Sequence, residues 1–197
     1  ASPSSPPAPS MGSMVAKITR SSMLRLNEGE PVPQLPVPSA YARSGTSPVI
    51  TRDHSREGPY VDLLLAELDI YLGRLPQLAN TAVRQLHLGG GTPTFLSPAS
   101  LDRLLAGVMA RLPNRAAGFE GSVEVDPRSA DPEKIATLGR LGFNRISLGV
   151  QDFDRAVQQA VNRRQSYATT RQTIEAALEA GFSSINIDLI YGLPLQT

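Results

Sequence analysis

Apolar residues from Pro59 onward recur at the two periods that distinguish helices from strands. In YVDLLLAELDIYLGRL, which begins at Tyr60, the leucines recur at helical spacing and Pro76 follows the segment, so a helix is predicted to end there. Four short apolar runs between turn residues predict strands. They are VRQLHL from Val83, FEGSVEV from Phe119, RISLGV from Arg145 and SINIDLIYGLP from Ser184.

Helical segments separate these strands. SPASLDRLLAGVMARL begins with Ser97 as a predicted N-cap and Pro98 at the first helical position. Asp131 is the predicted cap of DPEKIATLGRLGF, which ends near Gly142, and two further helical stretches, DRAVQQAVNR and SYATTRQTIEAALEAG, precede the last strand. Alternation of strands and helices predicts an α/β fold with parallel strands and right-handed crossovers.

Each predicted strand leads directly into a cluster of glycine or polar residues. The clusters are GGGTPT (89–94), Glu124 to Asp126, Gln151 with Asp152, and Asp188. Ligands of parallel α/β folds bind at the carboxyl ends of the strands. Three consecutive glycines also suit a backbone that a ligand approaches closely, because they carry no side chain. The four clusters therefore predict the rim of one pocket.

Each of these features also has a purely structural interpretation. A glycine-rich turn is often only a tight connection. Glu124 and Asp126 could be solvated loop residues, and Gln151 and Arg163 could be ordinary polar residues at a strand end or on an exposed helix face. Asp188 is harder to explain in this way, because a carboxylate inside the apolar run INIDLIYG needs a partner or a ligand. His87 is interpreted as a structural histidine, since no second histidine lies nearby in the sequence.

The N-terminal quarter of the chain differs in composition. Nine of the 17 prolines precede Thr51, and such a segment buries too little apolar surface to offset its ordering entropy. We therefore predict a disordered segment over residues 1–48, followed by a partial core domain over residues 49–197. A transit peptide is a second, weaker interpretation of its basic start, and no apolar core of a secretory signal follows.

Charge and cysteine content exclude several classes of function. A net charge of +1 gives no reason to expect nucleic acid as a partner, and no apolar stretch reaches the roughly 20 residues of a membrane span. The sequence contains no cysteine, which excludes disulfides and thiolate metal sites.

The motifs HLGGGTPTFL, SVEVDPR, GFNRISLGVQDF, QQAVNRRQ and INIDLIYGLPLQT, in this order, resemble those of the oxygen-independent coproporphyrinogen III oxidases. These are radical S-adenosylmethionine (SAM) enzymes of heme biosynthesis, and the resemblance covers residues 50–197. GVQDF, VNR and NIDLIYGLP favour the oxidases over the related heme chaperones. The resemblance implies a partial, TIM-like (β/α) barrel, here incomplete at both ends.

The resemblance also implies a set of SAM-binding residues. The backbone of the glycine-rich loop would lie against the methionine end of SAM, and a carboxylate would hydrogen-bond its ribose hydroxyls. A guanidinium would suit the SAM carboxylate. The implied cofactor-binding residues are Gly90, Gly91, Thr92, Glu124, Gln151, Arg163 and Asp188.

In enzymes of this family, a [4Fe–4S] cluster reduces SAM, and the radical so formed starts the oxidative decarboxylation of two propionates. Coproporphyrinogen III becomes protoporphyrinogen IX. The resemblance therefore implies a cytoplasmic enzyme with a porphyrinogen substrate and an electron donor, and without a nucleic-acid partner or a membrane span. The alternative is a non-catalytic module that binds SAM or a porphyrin.

The sequence departs from the family at the cluster. Val37, Tyr41, Ser44 and Thr46 stand approximately where the family has cluster-binding cysteines, and none can act as a thiolate ligand of iron. The chain as written is therefore expected to be inactive, and no catalytic residue is identifiable. A frameshift upstream of codon 47 or true divergence would each produce this pattern.

The first strand of the family is also expected to be missing. EPVPQLPVP has prolines where a central strand needs N–H donors. A sheet that lacks both the first and the sixth strand of the family would have two open edges, so we expect marginal stability and aggregation of the isolated chain.

Overall fold

The computed structural model describes residues 14–18, 23–26, 53–89 and 92–196. Within these ranges the strands are β1 (Met14–Ile18), β2 (Met23–Leu26), β3 (Val83–Leu88), β4 (Arg115–Val125), β5 (Arg145–Gln151) and β6 (Ser184–Leu189). The helices are α1 (Glu57–Arg74), α2 (Pro98–Arg111), α3 (Pro132–Arg140), α4 (Arg155–Ala160) and α5 (Tyr167–Glu179). No helix in these ranges is long and apolar enough to cross a membrane.

The strands form one sheet in the order β2-β1-β3-β4-β5-β6. Strand β2 is antiparallel to β1, whereas β1, β3, β4, β5 and β6 pair in parallel. Parallel neighbours require crossover connections, and helices α2, α3 and α5 lie within the crossovers between β3, β4, β5 and β6. The predicted α/β fold with a parallel sheet is confirmed.

Local capping signals set the ends of three helices. Side-chain oxygens of Ser97, Asp131 and Ser166 accept hydrogen bonds from backbone N–H groups in the first turns of α2, α3 and α5. After α3 and α5 the chain reverses at Gly142 and Gly181, whose φ angles are +91° and +86°. These are the positions at which the sequence predicts the helices to begin and end.

The strands alternate between a buried apolar face and a polar face. The apolar side chains of β3, β4 and β5 join the inner faces of α2 and α3 in one buried cluster, which includes Leu86, Val123, Ile146, Leu148, Leu101, Leu105 and Leu138. Burial of each such side chain is worth roughly 1.5–3 kcal/mol. His87, Ser122, Glu124 and Ser147 occupy the opposite face of the same strands. Strands that are covered by helices on both faces are apolar throughout. Because these strands have one polar face, helices cover only the other face, as in a barrel.

The expected absence of an early strand is corrected by the structure. Strands β1 and β2 fall within residues 1–48, where disorder was predicted, and β1 pairs with β3 so that Ala16 lies opposite Leu86. MVAKI and MLRL contain no proline, so their backbones can complete the hydrogen-bond ladder. The prolines that argued against a strand, and the predicted boundary at residues 48–49, lie outside the described residues.

Two elements differ in length from their sequence patterns. Strand β4 begins at Arg115, four residues before Phe119, and contains Gly118 at a φ of +75°. Helix α4 ends at Ala160, before the end of the predicted stretch DRAVQQAVNR, and Asn162 follows at a φ of +54°. The left-handed conformation of Asn162 ends the helix, and Arg163 is the next residue in the chain.

Candidate functional site

The residues predicted to form a site lie at the carboxyl ends of the parallel strands. Thr92, Glu124, Gln151 and Asp188 lie at or just beyond the carboxyl ends of four parallel strands, and Arg163 approaches them from the loop after α4. Glu124 pairs in register with Ser147, and the Ser147 hydroxyl donates a 2.8 Å hydrogen bond to the Asp188 carboxylate. Gly90 and Gly91 lie outside the described residues.

His87 and Glu124 form a polar pair on the uncovered face of the sheet. His87 Nδ1 lies 2.8 Å from the Ser122 hydroxyl, and its Nε2 lies 3.2 Å from Glu124 Oε1. A Cβ atom on Gly89 would come within 2.5 Å of His87 Nε2 and 2.9 Å of Glu124 Cδ. A side chain at position 89 would therefore force His87 and Glu124 to move.

The chain beyond the glycines forms a short 3-10 turn, Pro93–Phe95. The Phe95 and Leu96 N–H groups donate to the Thr92 and Pro93 carbonyl oxygens over 2.9 and 3.1 Å. The Thr94 side chain is fully buried, whereas Thr92 is exposed. This part of the loop is a defined turn that presents Thr92 to the solvent.

Arg163 is held by two acceptors, one directly after β4 and one in β5. Its Nη2 lies 3.3 Å from Asp126 Oδ2 and 3.1 Å from the Gly149 carbonyl oxygen. Its Nε is buried and has no hydrogen-bond partner in the protein. A buried N–H group without a partner costs about 1–3 kcal/mol. The Arg163 side chain is 28% exposed, so the exposed part of the guanidinium group can donate to an anionic ligand.

Asp126 is the second charged group at this point. Burial opposes its ionisation, but hydrogen bonds from the Arg128 side chain and backbone, together with the charges of Arg128 and Arg163, hold the pKa of this carboxyl below its usual value. Arg128 donates to this carboxylate through Nε and Nη2, at 3.0 Å from Oδ1 and 2.6 Å from Oδ2. Asp126 is thus an ionised anchor between two guanidinium groups. From the sequence it was interpreted as a possible solvated loop residue. Its contact with Arg163 joins residues 37 positions apart and is evident only in the structure.

Gln151 has a φ of +71°, which is unusual for a residue with a side chain. A Cβ atom on Gly149 would lie 3.0 Å from Gln151 Nε2 and 3.1 Å from Arg163 Nη2. Glycine at 149 therefore leaves room for these two side chains to converge. Left-handed backbone in residues other than glycine is often found at functional sites, where the surrounding structure maintains it.

Asp188 has a different environment from the one its sequence context suggested. The apolar run around it indicated a carboxylate that needs a partner or a ligand. Asp188 and its neighbours Ile187 and Leu189 are exposed, because β6 is an edge strand among the described residues. Its hydrogen-bond partner is the Ser147 hydroxyl. The carboxylate is exposed and accessible to a ligand.

The described residues contain no group of three or more histidine, cysteine, aspartate or glutamate side chains that could hold a metal ion. The sequence as a whole has no cysteine. A thiolate-bound iron–sulfur cluster therefore does not fit this chain.

A parallel α/β sheet with one uncovered polar face, and a polar rim that follows a glycine-rich loop, defines the class of this protein. The family model of the radical SAM superfamily matches residues 50–197, and the chain belongs to this family. The superfamily name implies S-adenosylmethionine as cofactor. The fold is accordingly a partial barrel of the TIM-like type.

Individual relatives narrow the comparison. The chain is 49% identical over 151 residues to the oxygen-independent coproporphyrinogen III oxidase of Pseudomonas aeruginosa. This alignment covers 76% of this chain and 32% of the relative. The chain is 42% identical over 153 residues to the Escherichia coli enzyme of the same name, covering 78% of this chain and 33% of the relative. The chain spans about a third of the length of these curated relatives.

A solved structure agrees with these matches. The coproporphyrinogen III oxidase from Escherichia coli, described as a radical SAM enzyme, superimposes with a TM-score of 0.68 at 44% identity. The alignment covers 75% of this chain and 33% of that one. The resemblance drawn from the sequence motifs is confirmed at the level of family and fold.

Proposed function

We propose that this chain is the SAM-binding part of an oxygen-independent coproporphyrinogen III oxidase. The convergence of Glu124, Gln151, Arg163 and Asp188 at one sheet edge, in a chain of the radical SAM family, is the observation that carries this proposal. These groups share a polar, partly exposed surface beside the glycine-rich loop. A zwitterionic nucleoside with a ribose is the kind of ligand that such a set of groups recognises.

Each group has a chemical role toward SAM. Glu124, whose side chain is 45% exposed, can accept hydrogen bonds from two ribose hydroxyls. Arg163, whose side chain is 28% exposed, can donate to the SAM carboxylate. Backbone groups of Gly90, Gly91 and Thr92 would bind the methionine end, with Gln151 and Asp188 as further polar contacts. In an intact radical SAM enzyme, bound SAM is the source of the radical that removes hydrogen from the substrate.

The second cofactor of the family does not fit this chain. A [4Fe–4S] cluster needs soft thiolate ligands, and Val37, Tyr41, Ser44 and Thr46 at the approximately corresponding positions supply none. These four positions lie outside the described residues. We therefore assign no redox step to this chain and place the oxidation of a coproporphyrinogen III propionate in a complete, cytoplasmic form that carries the cysteines and receives electrons from a donor.

One observation favours a second candidate function. A chain without cysteine that keeps its SAM residues is also what a non-catalytic SAM- or porphyrin-binding module would be. The two candidates differ in the genomic DNA upstream of codon 47. A C-x₃-C-x₂-C motif in another reading frame there supports the enzyme, and its absence supports the module.

Binding measurements test the proposed pocket. We expect Glu124→Ala and Asp188→Ala to weaken SAM binding by about 1–3 kcal/mol each, because each would remove a charge-assisted hydrogen bond. Isothermal titration calorimetry is the measurement, and Glu179→Ala, on the exposed end of α5, is the matched control that should bind as the parent does. Tight SAM binding that both substitutions leave unchanged would refute this assignment of the pocket.

A further inference from the structure

We propose that Lys134 and Glu57 are positioning residues that hold the turn after the glycine triplet from two sides, in the shape that receives the ligand. The inference rests on the proposed SAM site and adds residues that do not touch the ligand. It concerns the segment Thr92 to Ser97, which connects the glycines to helix α2.

Lys134 binds the turn through its ammonium group. Nζ donates to the Thr94 carbonyl oxygen over 2.8 Å and to the Ser129 carbonyl oxygen over 3.2 Å, and it lies 3.4 Å from Asp131 Oδ2. The side chain is only 13% exposed. The ammonium group thus joins the loop after β3 to the loop after β4.

The position of Lys134 in its helix is unfavourable for a cation. It lies in the first turn of α3, three residues after the cap Asp131, where the partial positive charge of the helix dipole repels an ammonium group. The helix dipole therefore does not favour a lysine here. The two carbonyl oxygens that it binds do explain it.

Thr94 reinforces the same contact. Its side chain is fully buried, and its hydroxyl lies 2.7 Å from the Ser129 hydroxyl. Ser129 itself is fixed by hydrogen bonds from its N–H and hydroxyl to the Asp126 carbonyl oxygen. The turn is therefore tied to Asp126, the residue that also binds Arg163.

Glu57 holds the other end of the turn. Its carboxylate accepts hydrogen bonds from the Ser97 N–H over 3.0 Å and from the Ser97 hydroxyl over 2.7 Å. His54 binds the same carboxylate through Nδ1, and its ring stacks on Phe95 with centroids 4.6 Å apart and planes inclined by 6°. A buried carboxylate of α1 and an aromatic stack thus fix Phe95 and Ser97.

The two contacts have a common consequence for binding. A loop that is already ordered loses less conformational entropy when a ligand docks on it, so affinity rises without a new contact. Lys134 and Glu57 hold the backbone on the C-terminal side of Gly90 and Gly91, which the proposed function assigns to the methionine end of SAM. They act through the loop and not on the ligand.

Amide hydrogen exchange of the ligand-free chain tests this role directly. The Phe95 and Leu96 N–H groups report the turn, and the Leu148 N–H group in β5 reports the core. We expect Lys134→Met to accelerate exchange at Phe95 and Leu96 about tenfold and at Leu148 much less. Lys134→Arg should restore most of the protection, because arginine keeps the charge and the donors. Arg140→Met, on the same helix with an exposed partner in Asp102, is the matched control.

Calorimetry of SAM binding to the same variants completes the test. We expect Lys134→Met to weaken binding about five- to tenfold, with rescue by Lys134→Arg. Unchanged exchange at Phe95 and Leu96, acceleration equal to that at Leu148, or undiminished SAM affinity in Lys134→Met would each overturn the inference. If the parent chain binds no SAM but the exchange results hold, the loop contact stands and the proposed function fails.

Discussion

At the scale of single residues, the site depends on charged groups that pair with one another. Asp126 contacts Arg128, Arg163 and, through its carbonyl oxygen, Ser129, so one residue orders the loop after β4 and joins it to the loop after α4. Its carboxyl is 13% exposed, and a partly buried charge network is costly when one member is removed. The position of the Arg163 guanidinium group depends on Asp126, because Nη2 contacts the Asp126 carboxylate.

Asp126→Asn tests this dependence. We expect a loss of about 1–3 kcal/mol in the free energy of unfolding, because two guanidinium groups lose their anionic partner, and a weaker affinity for SAM. Urea unfolding and calorimetry are the measurements. Asp102→Asn removes an exposed pair with Arg140 and should cost about 0–1 kcal/mol. An Asp126 variant as stable as the Asp102 variant would contradict the network.

Glu57 predicts a dependence of stability on pH. Burial opposes its ionisation, but hydrogen bonds from Ser100, His54 and Ser97 outweigh burial and lower its pKa from 4.5 to about 2. A folded-state pKa below the unfolded value stabilises the protein above pH 4.5, and this contribution is lost as the pH falls from 4.5 to 2. The shift corresponds to about 3 kcal/mol at most.

The comparison of the parent chain with Glu57→Gln isolates this contribution. We expect the difference between their free energies of unfolding to be largest near neutral pH and to shrink as the pH falls from 4.5 to 2, because the parent residue then becomes neutral. Urea unfolding at several pH values measures it, with Glu179→Gln as an exposed control. A difference that does not change with pH would show that Glu57 acts only by packing.

At the scale of elements, β6 is the strand whose environment departs most from its sequence. Its apolar residues Ile187 and Leu189 are exposed at 44% and 61%, and its outer edge has no neighbouring strand among the described residues. An apolar parallel strand at a sheet edge presents unpaired backbone groups to other chains. We therefore expect self-association through this edge.

Ile187→Lys tests the edge strand. A charge on an exposed edge opposes pairing with another chain, so we expect this variant to aggregate more slowly than the parent, with its free energy of unfolding changed by about 0.5 kcal/mol or less. Light scattering against time is the measurement. Gln172→Lys, an exposed change on α5 that also adds one positive charge, controls for net charge. Equal slowing by both variants would place the association elsewhere.

At the scale of the whole molecule, the chain combines a radical SAM fold with a sequence that cannot hold the cluster. We expect no iron–sulfur cluster after anaerobic reconstitution of the chain, because it has no cysteine and only His54 and His87 as histidines. Iron and sulfide analysis and the visible spectrum check this. About four iron and four sulfide per chain, with absorption that dithionite bleaches, would contradict it.

Much of the architecture could be predicted because its signals are local. A cap such as Asp131 acts on a backbone group three residues away, and a proline at position 98 or a glycine at 142 acts on its own φ angle. Strand periodicity likewise needs only the residues of that strand. These signals predict β3 to β6 and the helices between them, and the motif order predicts the family.

Tertiary structure decided the features that depend on neighbours distant in the chain. The pairing of β1 with β3 joins residues about 70 positions apart, and Lys134 reaches Thr94 across 40 positions. The exposure of Asp188 depends on which strands lie beside β6, a property that its own apolar neighbours do not encode. Such contacts form because packing brings loops together at one sheet edge, and no local pattern reports which charge will meet which carbonyl oxygen.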